Sequence, residues 1–137
     1  MKNNFIIKNI VSLLIPIFII YVGYIQFYGE ESPGGGFQSG LIFSYCFILY
    51  KLFFTKTKKI NFHVFLRISS FGVLLYFLVG CTSFFYGGFF LDYLIFSKDI
   101  AKSRHIGIFC VEFGVFITVF SVMVSIFLIF NDFFKEK

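Results

Sequence analysis

Four long apolar runs, separated by short polar connections, are the feature that most limits the fold of this chain. Two of them, Asn9 to Gly29 and Ile68 to Leu91, contain no charged residue. Because a helix rises about 1.5 Å per residue, roughly 20 apolar residues cross the hydrocarbon core of a bilayer. We therefore predict an all-α integral membrane protein with four transmembrane helices in a single domain, 1–137, with approximate spans 9–29, 37–54, 66–88 and 106–130.

The second and fourth runs each contain a charge that the bilayer must accommodate. The second run is short before Lys51, so it spans only if the Lys51 ammonium extends to the interface and Leu52 to Phe54 complete the helix. The fourth run holds one charged residue, Glu112. Acidic side chains inside membrane helices are rare and usually face other protein or a hydrated cavity.

The composition excludes several other classes of protein. With 58% hydrophobic and 14% charged residues, the chain could not cover a soluble surface. Its net charge of +5 comes from residues that flank the apolar runs, where they orient a membrane protein, so no nucleic-acid partner is predicted. Cys46, Cys81 and Cys110 lie singly in three runs without a ligand-like spacing, so neither a disulfide, a metal site nor a cofactor is expected.

The basic residues predict how the chain is oriented. Nine of the twelve belong to the N-terminal end, the second connection with its flanks, or the C-terminal tail; the other three, Lys98, Lys102 and Arg104, belong to the third connection. Because cytoplasmic loops are enriched in Lys and Arg, both termini are predicted to be cytoplasmic. The first and third connections then face outward, in a multi-pass protein of the cell membrane.

A polar stretch, FYGEESPGGGFQSG, joins the first two runs; we call residues 27–40 the Gly-rich connection. Its simplest interpretation is a tight turn between antiparallel helices, started by Pro33. Three successive glycines, Gly34 to Gly36, exceed what a turn needs and suggest a close approach to another surface. The spacing of a phosphate-binding loop is absent, because no Lys and Ser or Thr follow at the required positions.

This stretch resembles the hallmark of the B subunit (MnhB/MrpB type) of multisubunit Na+/H+ antiporters. That family has a first connection of the form G-H-x-x-P-G-G-G-F-x-G-G, with Glu30 and Ser39 as the departures in this chain. The fourth run is similar to the family's acidic–aromatic–Gly–Val pattern. The matching residues are Gly29, Pro33, Gly34, Gly35, Gly36, Phe37 and Gly40 in the connection, and Glu112, Phe113, Gly114 and Val115 in the fourth run.

Small residues follow one stripe of the fourth helix at steps of seven, four, three and four. Such stripes let membrane helices approach closely, so helix packing is the preferred interpretation. Glu112 and His105 are predicted to share the opposite face. The members of the stripe are Gly107, Gly114, Thr118, Ser121 and Ser125.

The Glu112 face needs a neighbour, either another helix of this chain or another protein, and a partner subunit is the favoured hypothesis. Polar residues predicted at a similar depth are Tyr24, Gln38, Ser44 and Thr82. Two roles for Glu112 stay open. It belongs to a cation or proton route, or it is a neutral acid that holds helices together.

The resemblance implies a small membrane subunit of a cation/proton antiporter complex that needs other subunits for transport. The alternative is a structural membrane subunit of a related complex, such as a membrane-bound hydrogenase, with no ion path of its own. An enzyme is not expected, because the two histidines, His63 and His105, are predicted on opposite sides of the membrane. The bilayer and the other subunits are the predicted partners.

Overall fold

The computed structural model describes residues 2–29, 34–54, 60–85, 87–93 and 99–135. Nearly all of them lie in four helices, each with a stretch long and apolar enough to cross a membrane. The prediction of an all-α membrane protein with four transmembrane helices is confirmed. The helices are α1 (Lys2–Phe27), α2 (Gly36–Phe54), α3 (Phe62–Phe85) and α4 (Ile100–Lys135).

All four helices begin before the apolar spans predicted from the sequence, whereas α1 and α3 end two and three residues before the predicted ends. α4 has 36 residues and is therefore about 54 Å long, well above the roughly 30 Å of a hydrocarbon core. α2 ends at Phe54 as predicted and contains Lys51 in its last turn. Charged residues limit the part of a helix that fits in hydrocarbon, but they do not stop the backbone hydrogen bonds from continuing into the interface.

A polar residue precedes each of α3 and α4, and the side chain of the first caps its helix. Asn61 precedes α3, and its Oδ1 accepts a hydrogen bond from the His63 backbone N–H at 3.1 Å. Asp99 precedes α4, and its backbone oxygen accepts from the Ser103 N–H at 2.9 Å. Asn and Asp are favoured at helix N-caps because the first backbone N–H groups of a helix lack intrahelical partners.

The fourth helix is the centre of the bundle. α4 packs extensively against both α3 and α2, whereas α1 packs mainly on α2 and touches α4 at few positions. Burial agrees with this order. In the most apolar stretch of each helix, 28% of the residues of α4 are buried, but only 11% of those of α1. The spatial order is therefore α1, α2, α4, α3, with the last helix between the second and the third.

The apolar core lies towards one end of the bundle. Phe65 of α3 and Val124 and Leu128 of α4 are buried there. Phe47 of α2 joins them, its ring centroid 5.5 Å from that of Phe65. These contacts bring the end of α2, the start of α3 and the second half of α4 together.

The start of α1 and the second half of α4 belong to this same end. The Lys8 Nζ lies 5.9 Å from the centroid of the Phe54 ring, which places the first turns of α1 beside the last turn of α2. The second half of α4 is there too. The structure contains no membrane, so the cytoplasmic position of this end stays a prediction. Lys56, Lys58, Lys59, Lys98 and Lys137, which entered that prediction, lie outside the described residues.

The third connection is tied to both helices that it joins. The Ser83 hydroxyl of α3 donates to the Asp92 backbone oxygen at 3.0 Å, and the Ser103 hydroxyl of α4 donates to that of Tyr93. The Phe90 ring packs on Gly80, and the Tyr93 ring packs on Gly107. Burial raises the pKa of the Tyr93 phenol, and nearby Tyr76 raises it further.

Candidate functional site at the contact between the Gly-rich connection and α4

The carboxyl group of Glu112 lies against two glycines of the Gly-rich connection, Gly29 and Gly35. A Cβ atom placed on Gly29 would be 2.5 Å from Glu112 Oε2, and one on Gly35 would be 2.9 Å from Oε1. Gly35 has a φ of +117°, a backbone conformation that residues with side chains rarely adopt. Two independent reasons, the space and the backbone, thus favour glycine at this position.

The start of α2 approaches the backbone of α4 directly. A Cβ atom on Gly36 would collide with the Glu112 carbonyl oxygen, and one on Gly40 would be 2.9 Å from the Phe116 oxygen. Both pairs are four residues apart, one helical turn on each helix. This is the small-xxx-small arrangement by which membrane helices pack closely. The sequence interpretation had assigned Gly36 and Gly40 to the connection, whereas they form the contact face of α2.

A buried hydrogen bond fastens α1 to α2 beside this contact. The Ser39 hydroxyl donates to Gln26 Oε1 at 2.6 Å, and both residues are buried. The same hydroxyl lies 2.9 Å from the Gly35 backbone oxygen and 3.1 Å from that of Gly36. Gln26 Nε2 is buried and has no hydrogen-bond acceptor among the described residues.

A small cavity lies between α1 and α4 at the same level. Its volume is about 10 Å³, and three of its lining side chains are polar: Gln26, His105 and Glu112. Glu112 is partly buried, whereas His105 is exposed. The phenyl rings of Phe27 and Phe109 also line the cavity and stack on each other, with centroids 5.7 Å apart. Glu112 and His105 therefore share a face, as the helical spacing predicted.

The contacts show the level of Glu112 along the bundle. α1 ends and α2 begins at the level of Glu112, although α4 begins twelve residues earlier, at Ile100. From Glu112 to Asp132, the next acidic residue, twenty residues rise about 30 Å, the thickness of a hydrocarbon core. Glu112 thus lies one bilayer thickness from the charged end of α4.

The other polar residues expected near Glu112 are not the ones that the structure brings to it. Tyr24 is exposed and stacks on Tyr28, and Gln38 is exposed. The Ser44 and Thr82 hydroxyls donate to backbone oxygens of their own helices. Gln26 and Ser39 occupy the position instead. Gln26 is the one polar side chain near the end of the first apolar run that helix periodicity directs inward, and this signal was missed.

One neighbour of the Glu112 face lies within the same chain. Gly29, Gly35 and Gly36 meet the Glu112 side chain and backbone, and the partner subunit that the sequence favours on this face stays a prediction. Phe37, by contrast, is 62% exposed on the outside of α2, and Gly34 packs on Ile25 of α1. Pro33 lies outside the described residues.

The small-residue stripe of α4 meets two different surfaces. Gly114 and Thr118 face α3, where a Cβ atom on Gly72 would be 2.9 Å from the Gly114 oxygen. Gly107 faces Tyr93 of the third connection instead of a helix. The hydroxyls of Thr118, Ser121 and Ser125 each donate to the backbone oxygen four residues earlier, at 2.7 to 2.8 Å. Such bonds satisfy the hydroxyls within the helix and leave its surface smooth for packing.

The arrangement offers one carboxyl group with a neighbouring amide, hydroxyl and imidazole. Within the parts of the chain that the structure describes, no three His, Cys, Asp or Glu side chains form a metal-binding group. A carboxyl group of this kind can exchange a proton or accept hydrogen bonds from backbone and side chains. Four membrane helices joined around such a group define a multi-pass membrane protein with a polar contact at one end.

Comparison with known proteins identifies the family. Residues 6–125 match the family described as "Domain related to MnhB subunit of Na+/H+ antiporter", so the chain belongs to that family. The resemblance predicted from the Gly-rich connection and from the fourth run is confirmed. Four apolar helices and this membership together make it a multi-pass protein of the cell membrane.

Curated relatives carry a consistent name. Proteins named "Putative antiporter subunit mnhB2" from Staphylococcus epidermidis and from Staphylococcus aureus are each 40% identical to this chain over 53 residues. The match covers 39% of this chain and 38% of each relative, well under half of the relatives' length.

Proposed function

We propose that this chain is a small, non-catalytic membrane subunit of a multisubunit cation/proton antiporter, as its family and the name of its relatives suggest. The observation that carries the proposal is the contact of the Glu112 carboxyl with Gly29 and Gly35. It joins the two parts of the chain that resemble the family most, the Gly-rich connection and the acidic segment of the fourth helix, in one site.

The role proposed for Glu112 is proton exchange at the outer end of the bundle. Its carboxyl is partly buried and lines a cavity that also reaches the exposed His105. A carboxyl group that served only to hold helices together would not need a cavity that reaches an exposed side chain. With one acidic residue in its predicted membrane spans, this chain is not expected to transport ions alone, so the other subunits of the complex supply the remaining route.

Contacts with those subunits are proposed on α1 and on the outer side of α3. Both helices expose large apolar side chains such as Ile20 at 75% and Phe71 at 60%. Lipid covers such surfaces equally well, because hydrocarbon is as apolar as they are.

Purification of the tagged full chain in mild detergent tests the partners. Antiporter subunits in the eluate support the proposal, and hydrogenase subunits would favour the structural alternative instead.

Glu112→Gln tests the role of the carboxyl. The amide keeps the size and polarity of the side chain but cannot carry the proton, so we expect assembly to persist while antiport falls at least tenfold, measured as Na+-dependent proton movement in membrane vesicles. Glu112→Asp, which retains a titratable group, should keep measurable activity. Normal antiport together with normal assembly in Glu112→Gln would exclude the proton-exchange role.

Gln38→Asn is the control for this experiment. Gln38 lies near the start of α2 but is exposed, and it is absent from the lining of the Glu112 cavity. A conservative, uncharged change at this position should leave both assembly and antiport unchanged. Equal losses in Glu112→Gln and Gln38→Asn would point to a general disturbance of this end of the bundle.

A further inference from the structure

One residue that lines the cavity between α1 and α4 has a buried polar atom without a partner in the described protein. Gln26 is 7% exposed, and its Nε2 has no hydrogen-bond acceptor among the described residues. Buried amide groups nearly always find a partner in protein or in ordered water. Gln26 lines the cavity together with Glu112.

We propose that this cavity is a binding site for one water molecule that bridges the Gln26 amide and the Glu112 carboxyl. Its volume of about 10 Å³ is about that of a single water probe. The water would accept a hydrogen bond from Gln26 Nε2 and donate one to a Glu112 oxygen. The site is a property of this chain alone and does not depend on its role in an antiporter.

The bridge completes a chain of hydrogen bonds across three parts of the fold. It would run from Glu112 of α4 through the water to Gln26 of α1, and on through Ser39 of α2 to the Gly35 backbone oxygen. Each member is polar, and the chain joins residues of α1, α2 and α4. The exposed His105 at the rim of the cavity gives the water a way in.

Water suits the site in either orientation of the Gln26 amide. The oxygen and nitrogen of such an amide are assigned from the hydrogen-bond network. If the amide is turned, Nε2 donates to Ser39 Oγ, and the Ser39 hydroxyl donates to the Gly35 oxygen at 2.9 Å. Oε1 then faces the cavity, and the water donates to it instead of accepting.

A metal cation suits the site less well. A hydrated cation exceeds the cavity, and a bare hard cation takes six or more oxygen ligands. The polar side chains that line the cavity are one amide, one carboxyl and one imidazole. In one of its two orientations, moreover, the amide presents an N–H group that would repel a cation.

Solid-state NMR of the full chain in lipid bilayers tests the site. The protein has two glutamines, Gln26 and Gln38, so labelling with side-chain ¹⁵N-glutamine yields two amide signals, which Gln26→Met assigns. We expect magnetisation transfer from water to both side-chain amides. Gln38, which is exposed, is the positive control. Transfer to Gln38 without transfer to Gln26 would overturn the proposal, because the cavity would then be dry.

Two further arms identify the ligand and its second partner. Glu112→Met replaces the carboxyl by an unbranched apolar group of similar size, and the water transfer to Gln26 should then fall severalfold while that to Gln38 is unchanged. Undiminished transfer to Gln26 would contradict the bridge. Exchange of Na+ for K+ at constant ionic strength should shift neither signal. A saturable shift of the Gln26 signal in Na+ would show that the ligand of the site is a cation and not water.

Discussion

At the scale of single residues, the glycines of this chain have different structural roles, which the sequence alone does not distinguish. Gly35 is held in a left-handed backbone conformation beside the Glu112 carboxyl. Gly23, inside α1, has open space where its side chain would be. The first glycine permits a conformation and a contact, whereas the second serves neither purpose and only lowers the intrinsic stability of its helix.

Gly35→Ala should therefore destabilise the protein by about 1–3 kcal/mol, the usual cost of a strained backbone conformation. The new methyl group would also press on Glu112 Oε1, 2.9 Å away. The measurement is the thermal unfolding midpoint of the full chain in detergent, followed by the fraction that stays monodisperse on heating.

Gly23→Ala is the control for this substitution. Since alanine is favoured over glycine within a helix by roughly 0.5–1 kcal/mol, its unfolding midpoint should stay equal or rise slightly. An unchanged midpoint in Gly35→Ala would mean that the connection relaxes freely and that its contact with Glu112 contributes little.

At the scale of elements, the packing of α4 depends on small residues in three helices. Gly36 and Gly40 bring α2 to one side of α4, and Gly72 brings α3 to another. The small-residue stripe of α4 was visible in the sequence from its spacing alone. Its partner on α3 was not, because α3 has two glycines, Gly72 and Gly80, and which of them meets α4 depends on the register between the helices, which follows only from their packing.

Gly72→Ala tests the α3–α4 contact. A methyl group at this position would be 2.5 Å from Thr118 Oγ1 and 2.9 Å from both the Gly114 oxygen and the Thr118 nitrogen. Backbone atoms cannot rotate away, so the helices must separate. We expect a loss of about 1–3 kcal/mol, the usual cost of overpacking. A rise in the thermal midpoint, as in Gly23→Ala, would show that the helices separate without cost.

The polar contact at Glu112 was foreseen only in part. The sequence indicated that the Gly-rich connection and the acid lie at the same end, because connectivity alone requires it. It did not indicate that they touch. The contact depends on α4 beginning at Ile100 and passing beyond the ends of α1 and α2, and on the Gln26–Ser39 bond between helices. Both are consequences of tertiary packing.

At the scale of the whole molecule, the described contacts bring the start of α1, the end of α2, the start of α3 and the second half of α4 to one end of the bundle. The number and order of the helices followed from the apolar runs. Their spatial order did not, because all four are apolar on most of their surface and hydropathy gives little direction to such helices. What decides it is the distribution of small residues and of a few large aromatic rings.

Cysteine labelling in whole cells tests the predicted orientation. In a chain from which Cys46, Cys81 and Cys110 have been replaced, Asn61→Cys should react with a membrane-impermeant maleimide only after permeabilisation. Phe89→Cys should react in intact cells. Both parent residues are exposed and lie at opposite ends of the bundle. The reverse pattern would mean that the basic end faces outward, against the distribution of Lys and Arg.

The position of α4 between α2 and α3 has a consequence for biosynthesis. As the polypeptide leaves the ribosome, α1 and α2 can pair at once, but α3 finds little of its final packing surface until α4 follows. α3 therefore stays in the lipid without its main packing partner until α4 has been inserted. Insertion of α4 then closes the bundle and delivers Glu112 to glycines that were synthesised some eighty residues earlier.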